Sequence, residues 1–297
     1  MASPTLTNVL VAAASHDLVS LDDVKDELQI GAEDASKDGF LARAIAQTSA
    51  AIENYCNRAF PIETIQDVYD ELSGGIAQSY RLWGYPPYRH FGRPTATEIL
   101  KLSRHPIASQ ALTLSVTGDT AAGNTIPVAS TVGLAIGYPV GHLSIPDGTT
   151  ITAFDAVSIT LSAALTAPVA VLDTITAGIT VNVTDRDSAD TSREVITLDQ
   201  FIIDFDAGEL IWRELRHRLA ITSVCYVSGY AAIPADLQEA ALRAITARNA
   251  ARGRDPMLRE LDQPAAGHQQ FWVGTAPGQR GGFTGEIADL LDAYKEF

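Results

Sequence analysis

Residues 51–60 read AIENYCNRAF and run into Pro61. Whether they hold a reactive thiol beside its helpers, or only the end of a packed helix, decides how the chain is read. Working back from Cys56, Leu41, Ile45, Thr48, Ile52, Tyr55 and Ala59 recur at steps of 4, 3, 4, 3 and 4. That spacing predicts a helix over about 37–58 with one continuous buried stripe. Pro61 forbids its continuation. Cys56 thus lies at the C-terminal end, where the helix dipole disfavours a thiolate. A catalytic thiol needs a helix N-terminus or a neighbouring base, so Cys56 is read as a small buried hydrophobe. Asn57 and Arg58 are placed to satisfy the last helix carbonyls or to reach a neighbour.

Upstream, DLVSLDDVKDELQIG (17–31) predicts a short helix. Ser20 is its N-cap, Asp22 and Asp23 lie in its first turn, and Val19 and Val24 form a hydrophobic staple. Gly31 is the expected residue after the helix. Downstream, 62–72 is strand-like. SYRLWGYPPYRHFGRP (79–94) then interleaves aromatics with Arg81, Arg89, His90 and Arg93, with no acid between Glu71 and Glu98. Its prolines make it a loop. EILKLSRHPI and ALTLSV restore strand character.

Composition then shifts. Residues 114–184 contain no Lys, Arg or Glu, and their only acids are Asp119, Asp147, Asp155 and Asp173. TTITAF and VSITLS alternate about a turn near Asp155, and IPDG is a turn with proline second. An all-β module inserted into something else is expected. After it, ITLDQFIIDFDAGELIW predicts two strands joined at 206–208, and LAITSVCYVSGY one more. IPADLQEAALRAITARNAARG predicts a helix opened by Pro234 and closed near Gly253. Residues 254–285 are rich in Gly, Pro and Gln, with no core of their own expected. In the terminal TGEIADLLDAYKEF, Ile287, Leu290, Leu291 and Tyr294 fall on one helical face.

The chain has 297 residues and a net charge of −15. A general nucleic-acid binder is normally basic, because affinity comes from neutralising phosphates. No apolar run approaches the ~18 residues of a membrane span, and no secretory signal is read in Val9–Ala14. Cys56 and Cys225 make no CxxC pair. The acidic runs DRDSAD (Asp185, Asp187, Asp190) and DFD (Asp204, Asp206) lack the glycine and distant glutamate of a calcium loop and are read as solvated turns. GxSxG, HExxH, Walker A and GxGxxG motifs are absent. Neither enzyme activity, catalytic residue, metal nor cofactor is expected.

What remains points to interfaces. Tyr80, Arg81, Trp83, Tyr85, Tyr88, Arg89, Phe91 and Arg93 have the composition of buried interface centres, with a core-filling loop or a DNA-binding one as the alternatives. On the late helix Arg248 and Arg252 share a face and Arg243 lies on another, each read either as solvated or as contacting an acidic partner or adjacent subunit. Phe271, Trp272, Phe283, Ile287, Leu290, Leu291 and Tyr294 complete the candidate partner surface.

The order of DLVSLDDVKDELQI, SAAIENYCNRAF, FIIDFDAGELIW and VSGYAAIPADLQEAALRAITARNAARGRDP resembles the head–tail connector (adaptor) proteins of tailed phages and gene transfer agents, over about 15–113 and 185–260. LAIGYPVGHLSIPDGTTITAF and ITLSAALTA separately resemble a small β module of phage structural proteins. The resemblance implies an α+β fold: a helical bundle core with a few antiparallel strands, an inserted all-β module and an extended C-terminal tail. The expected divisions are 1–113, 114–184, 185–266 and 267–297. It implies a homo-oligomeric ring, usually a dodecamer, in the virion neck, assembled in the host cytoplasm. Its implied partners are the portal protein, a stopper or tail-terminator neck protein, and DNA sliding through the lumen without sequence-specific binding, with no membrane. Residues 267–297 are implied as the portal grip, removable after Gly267 without harm to the fold. The alternative is a carbohydrate- or surface-binding virion protein acting through the β insert.

Overall fold

The computed structural model describes residues 5–70, 99–101, 107–120, 123–185, 193–205, 208–212, 220–250, 260–263, 267–270 and 282–295. In chain order the first elements are β1 (Leu6–Val11), α1 (Leu21–Glu27), α2 (Asp38–Cys56), β2 (Glu63–Asp70), β3 (Ile99–Lys101), β4 (Leu112–Ser115), β5 (Thr125–Pro127), β6 (Val140–Gly141), β7 (Ile151–Phe154) and β8 (Ser158–Leu161). Then follow β9 (Thr174–Ala177), β10 (Ile179–Asp185), β11 (Arg193–Ile196), β12 (Phe201–Asp204), β13 (Glu209–Trp212), β14 (Ala220–Ser228), α3 (Ala235–Ala250), β15 (Glu260–Gln263), β16 (Gly267–Gln270) and α4 (Gly285–Asp292). The fold is α+β with antiparallel sheets.

These elements fall into two units, one of Met1–Ala13 with Ile62–Ala231, the other of Ala14–Pro61 with Ala232–Phe297. The second is helical. Ser20 caps α1 in a reciprocal box with Asp23, its hydroxyl accepting from Asp23 N while the Asp23 carboxylate accepts from Ser20 N. Val19 and Val24 are both buried, as a staple requires. The helix stops earlier than expected. Gln29, not Gly31, takes the left-handed conformation, at φ 55°, and Ile30 N reaches back to Lys25 O. Helix α2 buries Leu41, Ala44, Ile45, Thr48, Ser49, Ile52 and Cys56, the expected stripe widened by small residues. It ends at Asn57 in the left-handed region, with the backbone N–H groups of Asn57 and Arg58 bonded to Asn54 O and Glu53 O. Helices α1, α3 and α4 all pack on α2. Lys25, almost fully buried, meets Asp38 at 2.7 Å and Ala32 O at 3.1 Å, tying the end of α1 to the start of α2. Strands β15 and β16 pair antiparallel within a stretch expected to lack structure. The pairing is a backbone feature of ELDQ and GHQQ, which carry little apolar alternation to announce it.

The first unit is built on a five-stranded sheet, β1-β2-β14-β10-β11, with antiparallel neighbours throughout. Its core joins Ile65, Tyr69, Ile179, Val181, Val224 and Tyr226 to Phe201 of β12 and Leu210 of β13. Inside it, Tyr226 Oη donates to Asp67 Oδ2 at 2.8 Å and Thr7 Oγ1 donates to Asp67 Oδ1 at 2.6 Å. That carboxylate is fully buried and is satisfied by groups on both flanking strands, as a buried acid must be. Burial, with the Asp67 charge nearby, pushes the Tyr69 phenol well above its usual range.

A second core in the same unit gathers Leu114, Ile126, Ile145, Ile151, Ile159, Val169 and Ile175. It is enclosed by two three-stranded sheets, β4-β9-β6 and β5-β8-β7. The expected hairpin of β7 and β8 is present. The 114–184 stretch does not stay together, however: its last strand, β10, belongs to the five-stranded sheet. The chain crosses over at Gly178, whose φ is 83° and where an added Cβ would lie 1.7 Å from Gln110 O. Only glycine fits there.

Candidate assembly surfaces

The segment that poses the catalytic question is structural. Cys56 is buried, and its Sγ–H points at Leu291 O of α4, 3.7 Å away. Burial pushes this thiol up to about 11, with Arg58 pulling the other way, so it stays protonated and unreactive at neutral pH. Arg58 lies 5.4 Å from the Phe60 ring centroid and 5.9 Å from that of Tyr294, a cation–π arrangement at the helix end. Cys225 is likewise buried and pushed up to about 12, first by burial and then by the Asp147 carboxylate.

The terminal helix is where periodicity put it, and its apolar face is occupied by its own chain. Phe283, Ile287, Ala288 and Leu291 are buried, and Leu290 and Tyr294 half-buried. Phe283 meets Tyr55 edge to face at 5.7 Å. Tyr55 Oη donates to Asp292 Oδ1 at 2.6 Å, Tyr294 Oη reaches the Asp236 carboxylate of α3 at 2.6 Å, and Lys295 Nζ sits 4.7 Å from the Tyr55 ring centroid. The expectation that the tail is removable without harm to the fold therefore fails, because truncation uncovers α2 and α3.

The described α3 arginines are engaged within the same unit. Arg243 pairs with Glu239 one turn away at 2.7 Å and with Glu286 of α4 at 3.5 Å. Arg248 donates to Gln47 of α2. Arg252, Phe271 and Trp272 lie outside the described residues, as do Tyr80, Arg81, Trp83, Tyr85, Tyr88, Arg89, Phe91 and Arg93. Among the described residues no group of three or more His, Cys, Asp or Glu side chains is arranged to hold a metal, and no helix is long and apolar enough to cross a membrane.

Sequence reasoning did not find the contacts that tie the β4–β9 region to the large sheet. Asp147 accepts from Gln66 Nε2 at 2.9 Å and from Asn182 Nδ2 at 2.5 Å. Thr64 Oγ1 donates to Gly137 O at 2.6 Å. Arg193 of β11 donates to the carbonyls of His142, Leu143 and Ile145. The only signal was Asp147 within the IPDG turn, and a turn aspartate is usually explained by its own backbone.

No curated protein matches the chain. Solved structures that resemble it include three of gene transfer agent particles. One is the neck of an empty GTA particle with C6 symmetry, at TM-score 0.36 and 12% identity. Another is the virion of a native gene transfer agent particle, at 0.35 and 12%. The third is the neck of a native GTA particle with C12 symmetry, at 0.31 and 13%. Each pairing covers 99% of this chain and 96% of the other. TM-scores of this size do not establish a common fold. The family profile described as "Phage gp6-like head-tail connector protein" matches residues 18–79, which take in α1, α2 and β2. Over those residues, the chain is similar to phage gp6-like head–tail connector proteins.

Proposed function

We propose that this chain is a structural adaptor of the virion neck. It forms a homo-oligomeric ring under the portal, usually a dodecamer in the proteins it resembles, extends the DNA channel and docks the next neck protein. The observation that carries this reading is the connector profile over residues 18–79, the stretch that contains the α1–α2 pair. The structure is compatible with a part that works by packing. Its two thiols are buried and protonated at neutral pH. A net charge of −15 suits a lumen through which DNA slides without sticking.

In this reading the helices form the adaptor core and residues 111–177 are an insertion. Three features support that division: the separate core of the segment, the close approach of Gln110 O to Gly178, and the continuation of the large sheet immediately after Gly178. Particles assembled without the chain should accumulate as DNA-containing heads and free tails. Normal joining of heads to tails in its absence would overturn the proposal.

A further inference from the structure

Loops of the 111–177 region hold large aliphatic side chains out in solvent, Val132, Ile136 and Val157 among them, and two of these loops adjoin. Leu172 is 83% exposed and Leu143 63%, with Val171 beside the first. Neither loop is slack. Leu172 has φ 72°, a conformation that a branched L-residue rarely adopts. It is fixed there by four hydrogen bonds: Leu172 N to Val116 O, Val171 N to Asp119 Oδ1, Ala170 N to Asp173 Oδ2 and Asp173 N to Ala170 O. Leu143 sits among three carbonyls held by Arg193, and Ser144 N is bound to His142 Nδ1 at 3.1 Å. The loops meet through His142 Nε2 and Asp173 Oδ2, 3.6 Å apart. Exposed aliphatic side chains grouped in this way mark interaction sites, and fixing them beforehand lowers the entropic cost of binding.

Charge identifies what covers them. Residues 114–184 carry four Asp and no Lys, Arg or Glu, whereas 72–97 carry three Arg and no acid, among five aromatics. The first stretch bears acid without base, and the second base without acid. Rings suit the aliphatic surface, and guanidinium groups suit a rim bearing Asp119 and Asp173. Contact between two different patches on identical subunits closes a ring when the rotation permits. Resting on the ring reading above, we infer that Leu143, Val171 and Leu172 dock the basic aromatic stretch 80–93 of the adjacent copy.

The test uses full-length chains assembled on the portal. One tagged copy carries Leu172→Cys and a differently tagged copy Tyr85→Cys; the native thiols are buried and give no background. A short bismaleimide should link the two tags. Rings without a cross-tag product, or links only within a doubly substituted chain, overturn the inference and leave the ring reading standing. Wild-type chains that never assemble on the portal overturn both. Leu172→Gly relieves the backbone conformation, so its melting temperature should match or exceed wild type, while assembly weakens about ten-fold through the lost contact. Arg89→Glu should weaken assembly similarly. Undiminished assembly of both variants overturns the proposal.

Discussion

Cys56 Sγ lies 3.7 Å from Leu291 O, so the last turn of α2 is roofed by the C-terminal helix of the same chain. The thiol is a built-in reporter of that contact. Leu291→Ala should cost about 2–5 kcal/mol, as expected for a fully buried leucine. It should make Cys56 reactive toward a disulfide reagent while Cys225, under a different core, stays protected. Loss of protection at both thiols together would mean that α4 does not open separately.

The thiols also set an alkaline limit. Both have an ordinary value of 9.0, raised in the folded protein to about 11 for Cys56 and about 12 for Cys225. Above pH 9 the unfolded chain loses thiol protons that the folded chain keeps. The stabilisation is therefore full below pH 9 and is lost as pH rises through the folded values. Replacing both cysteines with alanine should flatten the alkaline limb of denaturant midpoint against pH.

His142 acts on the acid side. Burial lowers its proton affinity from the ordinary 6.5, Asp173 opposes that, and Arg193 adds to it. The unfolded chain takes up this proton first, so stability should fall as pH drops below 6.5 and level off beneath the lowered folded value. His142→Gln should remove that slope. An unchanged acid limb would show that the imidazole contributes nothing.

Gly178 and Gln110 define how the 111–177 region is attached. Gly178→Ala would place a Cβ against a backbone carbonyl at positive φ and should prevent a stable fold or cost more than about 3 kcal/mol. Excision should run from 111 to 177, not to 184, because β10 is a central strand of the large sheet. A chain so trimmed should still fold and, if the insertion is not the active part, still join heads to tails, but with weaker ring assembly because the contact made by Leu143 and Leu172 is lost. A carbohydrate- or surface-binding protein would lose its function.

The features legible in the sequence are the local ones. The Ser20 cap, the α2 stripe, the β7–β8 and β12–β13 hairpins and the apolar face of α4 each follow from spacing or turn chemistry within a few residues. Partner choice over long separations was not legible. Nothing in LTNVLV says that β1 pairs with β2, and the even Val–Thr–Ile composition of 174–184 hides the point at which the chain leaves one sheet for another. The left-handed positions at Gln29 and Leu172 also escaped, because neither residue type advertises a positive φ. The arginines of α3 were read from one helix alone, whereas Gln47 and Glu286 reach them from α2 and α4.

The central claim is assembly, and imaging the neck tests it most directly. Cryo-EM of particles containing this chain should show it as a symmetric ring between the portal and the next neck protein. Density at that position assignable wholly to other proteins, with this chain recovered only as a free 31.6 kDa particle, would contradict the account.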